Sequence, residues 1–228
     1  MRKWMIVLVV FTVAFAINSK NASAQTDFEL ISGGSFVAPP GGALNILPPT
    51  TIGGWSVTSS TGVSHAPLLT PDGIDITSID VVCVVSPCTT TPLDLLFSGQ
   101  GFTESVAAGN FTTTYAASVS TGASTSQTAY SDNTNVFFGT GTLIGTVGPF
   151  VSPGGFGTIS GGGPAGPVAY SLTIDDKFNA NGTLGANFVI STGSITATPT
   201  LTPEPSSILL FGTGLLGLGG ILRRRLFA

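Results

Sequence analysis

Charge is scarce in this chain, and positive charge is scarcer still. Of 228 residues, 8% are charged, with seven lysines and arginines against eleven aspartates and glutamates. An ordinary soluble domain carries about 25%. Six of the seven cations, Arg2, Lys3, Lys20, Arg223, Arg224 and Arg225, lie within 25 residues of a chain end, so Lys177 alone serves the middle. Residues 25–205 keep all eleven carboxylates and that lysine, a formal charge of −10. Nucleic acid is therefore excluded as an expected partner, because neutralising phosphates takes clustered Lys and Arg. One histidine and two cysteines cannot supply the four ligands of a structural zinc site. No G-x-S-x-G elbow exists to partner His65, which reads as a solvated loop histidine. No repeat of 20 to 50 residues is present, which excludes a solenoid. Apolar residues, by contrast, make up 42% of the chain, enough to build a core and to exclude a disordered tail.

The cations at the ends mark two targeting segments. Arg2 and Lys3 precede an apolar run from Trp4 to Ile17, and Ala22-Ser23-Ala24 follows before Gln25. A positive start, an apolar run too short to span a bilayer and a small-x-small site predict a signal peptide over residues 1–24, cut between Ala24 and Gln25. At the other end, Pro203-Glu204-Pro205-Ser206-Ser207 leads into the glycine-rich apolar stretch Ile208 to Leu222, closed by Arg223-Arg224-Arg225. As a helix, 208–222 would be about 22 Å long, short of the roughly 30 Å hydrocarbon core. The expected membrane contact is therefore shallow and transient, with the arginines on the cytoplasmic side and residues 25–202 across the membrane.

This tail, residues 202–228, resembles the PEP-CTERM sorting signal of bacterial surface and exopolysaccharide-associated proteins. The resemblance rests on Pro203, Glu204 and Pro205, the helix 208–222 and the basic stop Arg223, Arg224 and Arg225. It implies a membrane-embedded exosortase, a cysteine-type transpeptidase, that recognises the tripeptide, removes the helix and basic tail and passes the protein outward. It says nothing of residues 25–201.

That middle reads as one all-β domain, a β-sandwich or jelly-roll-like fold. Strands are predicted over 74–85, 93–97, 111–119, 136–147, 170–175 and 188–195, separated by Pro39-Pro40-Gly41-Gly42, Pro48-Pro49, Pro71-Asp72-Gly73 and the glycine-rich stretch 153–167. Asn181-Gly182 between two alternating runs predicts a hairpin. Cys83 and Cys88 flank Val84-Val85-Ser86-Pro87, and in an exported chain such a pair reads as a small disulfide loop.

No catalytic constellation emerges, and the chain is expected to be neither an enzyme nor a cofactor carrier. Gly212-Thr213-Gly214-Leu215-Leu216-Gly217 matches G-x-G-x-x-G, but no acidic residue follows it, and its glycines suit a membrane helix. Lys177 follows Asp175-Asp176, where local pairing holds an ammonium charged instead of activating a serine. Asp72, Asp75, Asp80 and Asp94 form one acidic region and Asp175 and Asp176 another. They could serve a glycosidase pair or, at Pro71-Asp72-Gly73-Ile74-Asp75, calcium, although solvated turns explain them as well. Trp55 and Tyr115 are candidate sugar-stacking rings in a secreted carbohydrate-binding module or glycan hydrolase, the alternative to a structural or adhesive surface protein. Threonine recurs at 112–114, 140–142 and 196–198, a spacing that flat ice-binding faces use. Such hydroxyls also offer O-glycosylation sites. Exopolysaccharide and other surface proteins are the expected partners of the exported domain.

Overall fold

The computed structural model describes residues 25–37, 44–58, 60–65, 72–103, 111–163, 169–198 and 213. The signal-peptide residues before Gln25 and the tail elements Pro203 to Pro205, 208–212, 214–222 and Arg223 to Arg225 lie outside them. Among the described residues no helix is long and apolar enough to cross a membrane.

Fifteen strands account for most of the described chain: β1 (Gln25–Ile31), β2 (Ser35–Val37), β3 (Leu44–Leu47), β4 (Thr50–Ile52), β5 (Trp55–Val57), β6 (Ser60–His65), β7 (Gly73–Thr77), β8 (Ile79–Cys83), β9 (Leu93–Phe102), β10 (Phe111–Val119), β11 (Ser124–Asp132), β12 (Thr142–Val151), β13 (Gly154–Gly161), β14 (Tyr170–Asn179) and β15 (Asn187–Ala197). They form two antiparallel sheets. The first runs β12-β11-β14-β9-β1-β2, and the second is built on β15, with β10 and then β13 along one side. On its other side β15 pairs with β7 over 193–196 and with β8 over 187–190, so these two short strands lie end to end. The expected all-β sandwich is the fold observed.

Alternation explains the layering. In β10, Phe111, Thr113, Tyr115, Ala117 and Val119 are buried while Thr112, Thr114, Ala116 and Ser118 face out, the period-2 pattern of a half-buried strand. The core between the sheets includes Trp55, Phe97, Phe102, Phe178 and Phe188, all fully buried. Trp55 sits 5.9 Å from Phe188, which meets Phe178 edge-on at 5.3 Å. At this end of the sandwich the Cys83–Cys88 disulfide closes a loop over Trp55, whose indole N–H donates to the Thr91 carbonyl at 2.9 Å.

Four sequence expectations need correction. The run 74–85 is two strands, because Ser78 takes a positive φ of 60° and breaks the ladder. The strand expected over 136–147 begins at Thr142. Residues 133–141 before it form a loop, at whose start Asp132, the last residue of β11, accepts hydrogen bonds from the Thr134 amide at 2.7 Å and hydroxyl at 2.6 Å. The glycine-rich stretch holds a strand, β13, and its Gly154 has a φ of 117° at a point where a Cβ would collide with the Ala117 carbonyl oxygen. Asn181-Gly182 forms no hairpin, since β14 and β15 belong to different sheets. The Gly182 amide donates to Thr89 at 2.8 Å and the Gly185 amide to Cys83 at 2.8 Å, so the disulfide loop holds this turn as it crosses between sheets.

Candidate functional site

The outer face of the first sheet carries charge. Register places Asp175 beside Leu96 and Lys177 beside Asp94, which sets Asp94 and Asp175 diagonally on one face. Lys177 Nζ lies 3.4 Å from Asp94 Oδ1. Burial, with Asp94 adding to it, pushes the Asp175 carboxyl up to about 6, although Lys177 opposes the shift. Burial and then Asp175 also raise the Tyr130 hydroxyl. The 133–141 loop folds over one end of this face. There the Phe138 amide donates to Ser98 Oγ at 3.0 Å and the Gly101 amide to Asn135 Oδ1 at 2.7 Å, and Ser98 and Thr173 are fully buried.

Behind that face runs a polar seam inside the sandwich. The inward residues of β11 are Thr125, Gln127, Ala129 and Ser131, none of them large and apolar. Gln127 is the register partner of Asp176, and both are fully buried. Neither Asp176 oxygen, nor either polar atom of the Gln127 amide, has a hydrogen-bond partner among the described residues. Burial, with Asp175 adding to it, raises the Asp176 carboxyl well above its ordinary range. Tyr115 is hydrogen-bonded to Thr125 at 2.6 Å, and burial followed by Asp176 raises its hydroxyl.

The outer face of the second sheet is different in kind. Strand register aligns hydroxyl rows across β13, β10 and β15: Ser160, Thr112 and Thr196 in one, and Thr158, Thr114 and Ser194 in the next. Adjacent hydroxyls bond each other, Thr112 to Ser160 at 3.0 Å and Thr114 to Thr158 at 3.4 Å. In the following row Phe156 stands opposite Ala116 and is 70% exposed. Small neighbours, Gly154 and Ala116, leave space beside its ring. A shallow depression of about 290 Å³, lined by Ser118, Val119, Ser120, Asn187 and Val189, continues the face at that end. The result is a hydroxylated platform with a projecting aromatic ring, an arrangement suited to a sugar face and its hydroxyls.

Several candidate residues from the sequence fall elsewhere. Trp55 and Tyr115 are fully buried and cannot stack on a ligand; their neighbours in the core explain them. Asp72 is fully buried and accepts a hydrogen bond from the Tyr170 hydroxyl at 3.0 Å. Among the described residues no group of three or more His, Cys, Asp or Glu side chains could hold a metal ion. Of the threonine sets, Thr112, Thr114 and Thr196 meet on one face, whereas Thr142 begins β12 in the other sheet. Phe156, Thr158 and Ser160 are hidden in the sequence because the glycines around them read as a loop. Their T-x-S alternation was the available signal.

The described residues thus form a two-sheet β-sandwich. Residues 201–225 match the family model of the PEP-CTERM protein-sorting motif, a signal that marks proteins exported to the cell surface. No curated protein sequence matches the chain. Among solved structures, it is similar to TmCBM61, determined in complex with β-1,4-galactotriose, at 8% identity and a TM-score of 0.32 over 68% of this chain and 87% of that one. It is also similar to the C-terminal CBM6 of LamC from Zobellia galactanivorans, at 10% identity and a TM-score of 0.26 over 68% and 88%. A third is the module CBM6cm-2 of Cellvibrio mixtus lichenase 5A, in complex with cellotriose, at 14% identity and a TM-score of 0.28 over 68% and 88%.

Proposed function

We propose that the exported domain is a non-catalytic structural or adhesive component of the cell surface or extracellular matrix, and that it holds neutral polysaccharide on the outer face of its second sheet. The observation that carries this reading is the platform of aligned Ser and Thr hydroxyls beside the exposed ring of Phe156. Neutral sugars suit it, since the three strands that form it, β10, β13 and β15, contain no charged residue. An exosortase releases the domain outward, after which retention depends on what the domain binds. The carboxylates of the opposite face keep the protein soluble and repel acidic polymers.

Affinity electrophoresis through gels containing neutral polysaccharide from the producing cells tests the reading. Phe156→Ala is expected to weaken retention about tenfold, the loss of one stacking contact. Asp94→Asn on the opposite face is expected to leave retention unchanged. Equal retention of the Phe156→Ala protein and the unmodified protein overturns the site. Release of reducing sugar that Asp94→Asn abolishes supports a hydrolase instead.

A further inference from the structure

We propose that β13 is the interface of a homodimer, formed by antiparallel pairing of its free edge with the same edge of a second copy. An edge strand presents unpaired N–H and C=O groups, and proteins ordinarily blunt such edges by shortness, proline, bulges or charge. Each of the other edge strands is blunted in one of these ways. β2, β3 and β4 are three, four and three residues long. β12 contains Pro149, and its pairing with β11 shifts register twice.

β13 has none of these protections. It pairs with β10 through eight consecutive residues without a shift, and no other described strand pairs with it. Its sequence, GGFGTISG, contains no charge and no proline, and Phe156 and Ile159 are 70% and 39% exposed. Val151 and Leu143 on the adjoining β12 are exposed as well, at 61% and 56%.

Charge selects a second copy as the occupant. A chain with a formal charge of −10 over residues 25–205 repels its like over most of its surface. Between Glu104 and Asp175, however, Asp132 is the single charged residue, and β13 lies within that stretch. Two copies can therefore approach along β13 without juxtaposing carboxylates. A two-fold axis perpendicular to the sheet matches outer face to outer face when Thr158 faces its own copy. Phe156 then lies opposite Ser160, and Gly155 opposite Gly161. The self-pairing does not depend on the polysaccharide reading, but it would join the two hydroxyl platforms into one continuous sheet face.

Sedimentation velocity on the exported protein recovered from producing cells, over a wide concentration range, tests the interface. The unmodified protein is expected to dimerise reversibly. The double variant Phe156→Lys, Thr158→Lys places exposed charges on the edge and is expected to weaken the dimer about tenfold or more. Leu44→Lys, on the edge strand β3, should leave it intact. Hydrogen exchange on the unmodified protein provides a readout independent of any variant, with β13 amides slowing as concentration rises. A monomer at every concentration, a dimer that survives the double substitution, or β13 exchange that ignores concentration overturns the proposal. Phe156→Ala separates the two readings: polysaccharide retention falls while the uncharged edge still pairs.

Discussion

Truncating Trp55 to alanine is expected to lower the unfolding free energy by about 3–5 kcal/mol, the cost of emptying a large aromatic site in a packed core. The ring is fully buried, 5.9 Å from Phe188, and stands opposite Cys83 in the β5–β8 ladder. Its loss also strands the Thr91 carbonyl that accepts the indole N–H at 2.9 Å. Trp55→Phe keeps most of the volume but not the donor, so it should fall between the two. Equilibrium urea unfolding measures all three proteins. A change below about 1 kcal/mol for Trp55→Ala would mean that the disulfide loop does not rest on this ring.

Acid should stabilise the folded domain relative to neutral pH, the reverse of a protein held by salt-bridged carboxylates. Asp176 is fully buried between the sheets, and burial raises its carboxyl, so the folded state keeps a proton that the unfolded chain gives up near pH 4. A raised carboxyl contributes its stability below the unfolded value and loses it as pH rises through the folded value. Asp175, pushed up to about 6, acts in the same direction between about pH 4 and 6, and Asp176 extends the loss to higher pH. The Asp132 carboxyl, lowered by its hydrogen bonds to Thr134, opposes them weakly from the end of β11. Asp176→Asn removes the buried charge in nearly the same shape and is expected to stabilise the protein by about 2 kcal/mol at pH 8. At pH 4 it should change little. Thermal unfolding from pH 4 to 9 reads both effects, and a midpoint that rises with pH in the unmodified protein would contradict this account of the seam.

The same seam explains what the sequence conceals. β10, β14 and β15 were legible because large apolar residues alternate in them, and the bounds 111–119 coincide with the β10 observed. β11 was not, since its buried face is Thr125, Gln127, Ala129 and Ser131, polar or small groups that mimic a loop. β13 was hidden in a similar way. Glycine allows its close approach to β12, where Gly157 faces Val147, yet in sequence those glycines read as a breaker. Asn181-Gly182 shows the opposite failure. Both residues adopt positive φ, 50° and 87°, as a tight turn needs, but where the chain goes next is set by the disulfide loop that captures the turn. The C-terminal sorting motif, matched over 201–225, was legible for another reason: such signals are read as linear segments and owe little to tertiary structure. The hydroxyl platform lies between these cases, since T-x-T spacing is visible in one strand but the alignment of three strands depends on register.

A disposable sorting tail is expected to deliver this sandwich to the outside of the cell. Mass spectrometry of the C-terminal peptide, on protein recovered from membrane and extracellular fractions, tests it most directly when Pro203-Glu204-Pro205 is intact and when it is replaced by three alanines. The intact motif should give extracellular protein lacking 208–228, whereas the alanine variant should keep those residues and stay with the membrane. Extracellular protein that retains Arg223 to Arg225, or equal processing of the two chains, would contradict it.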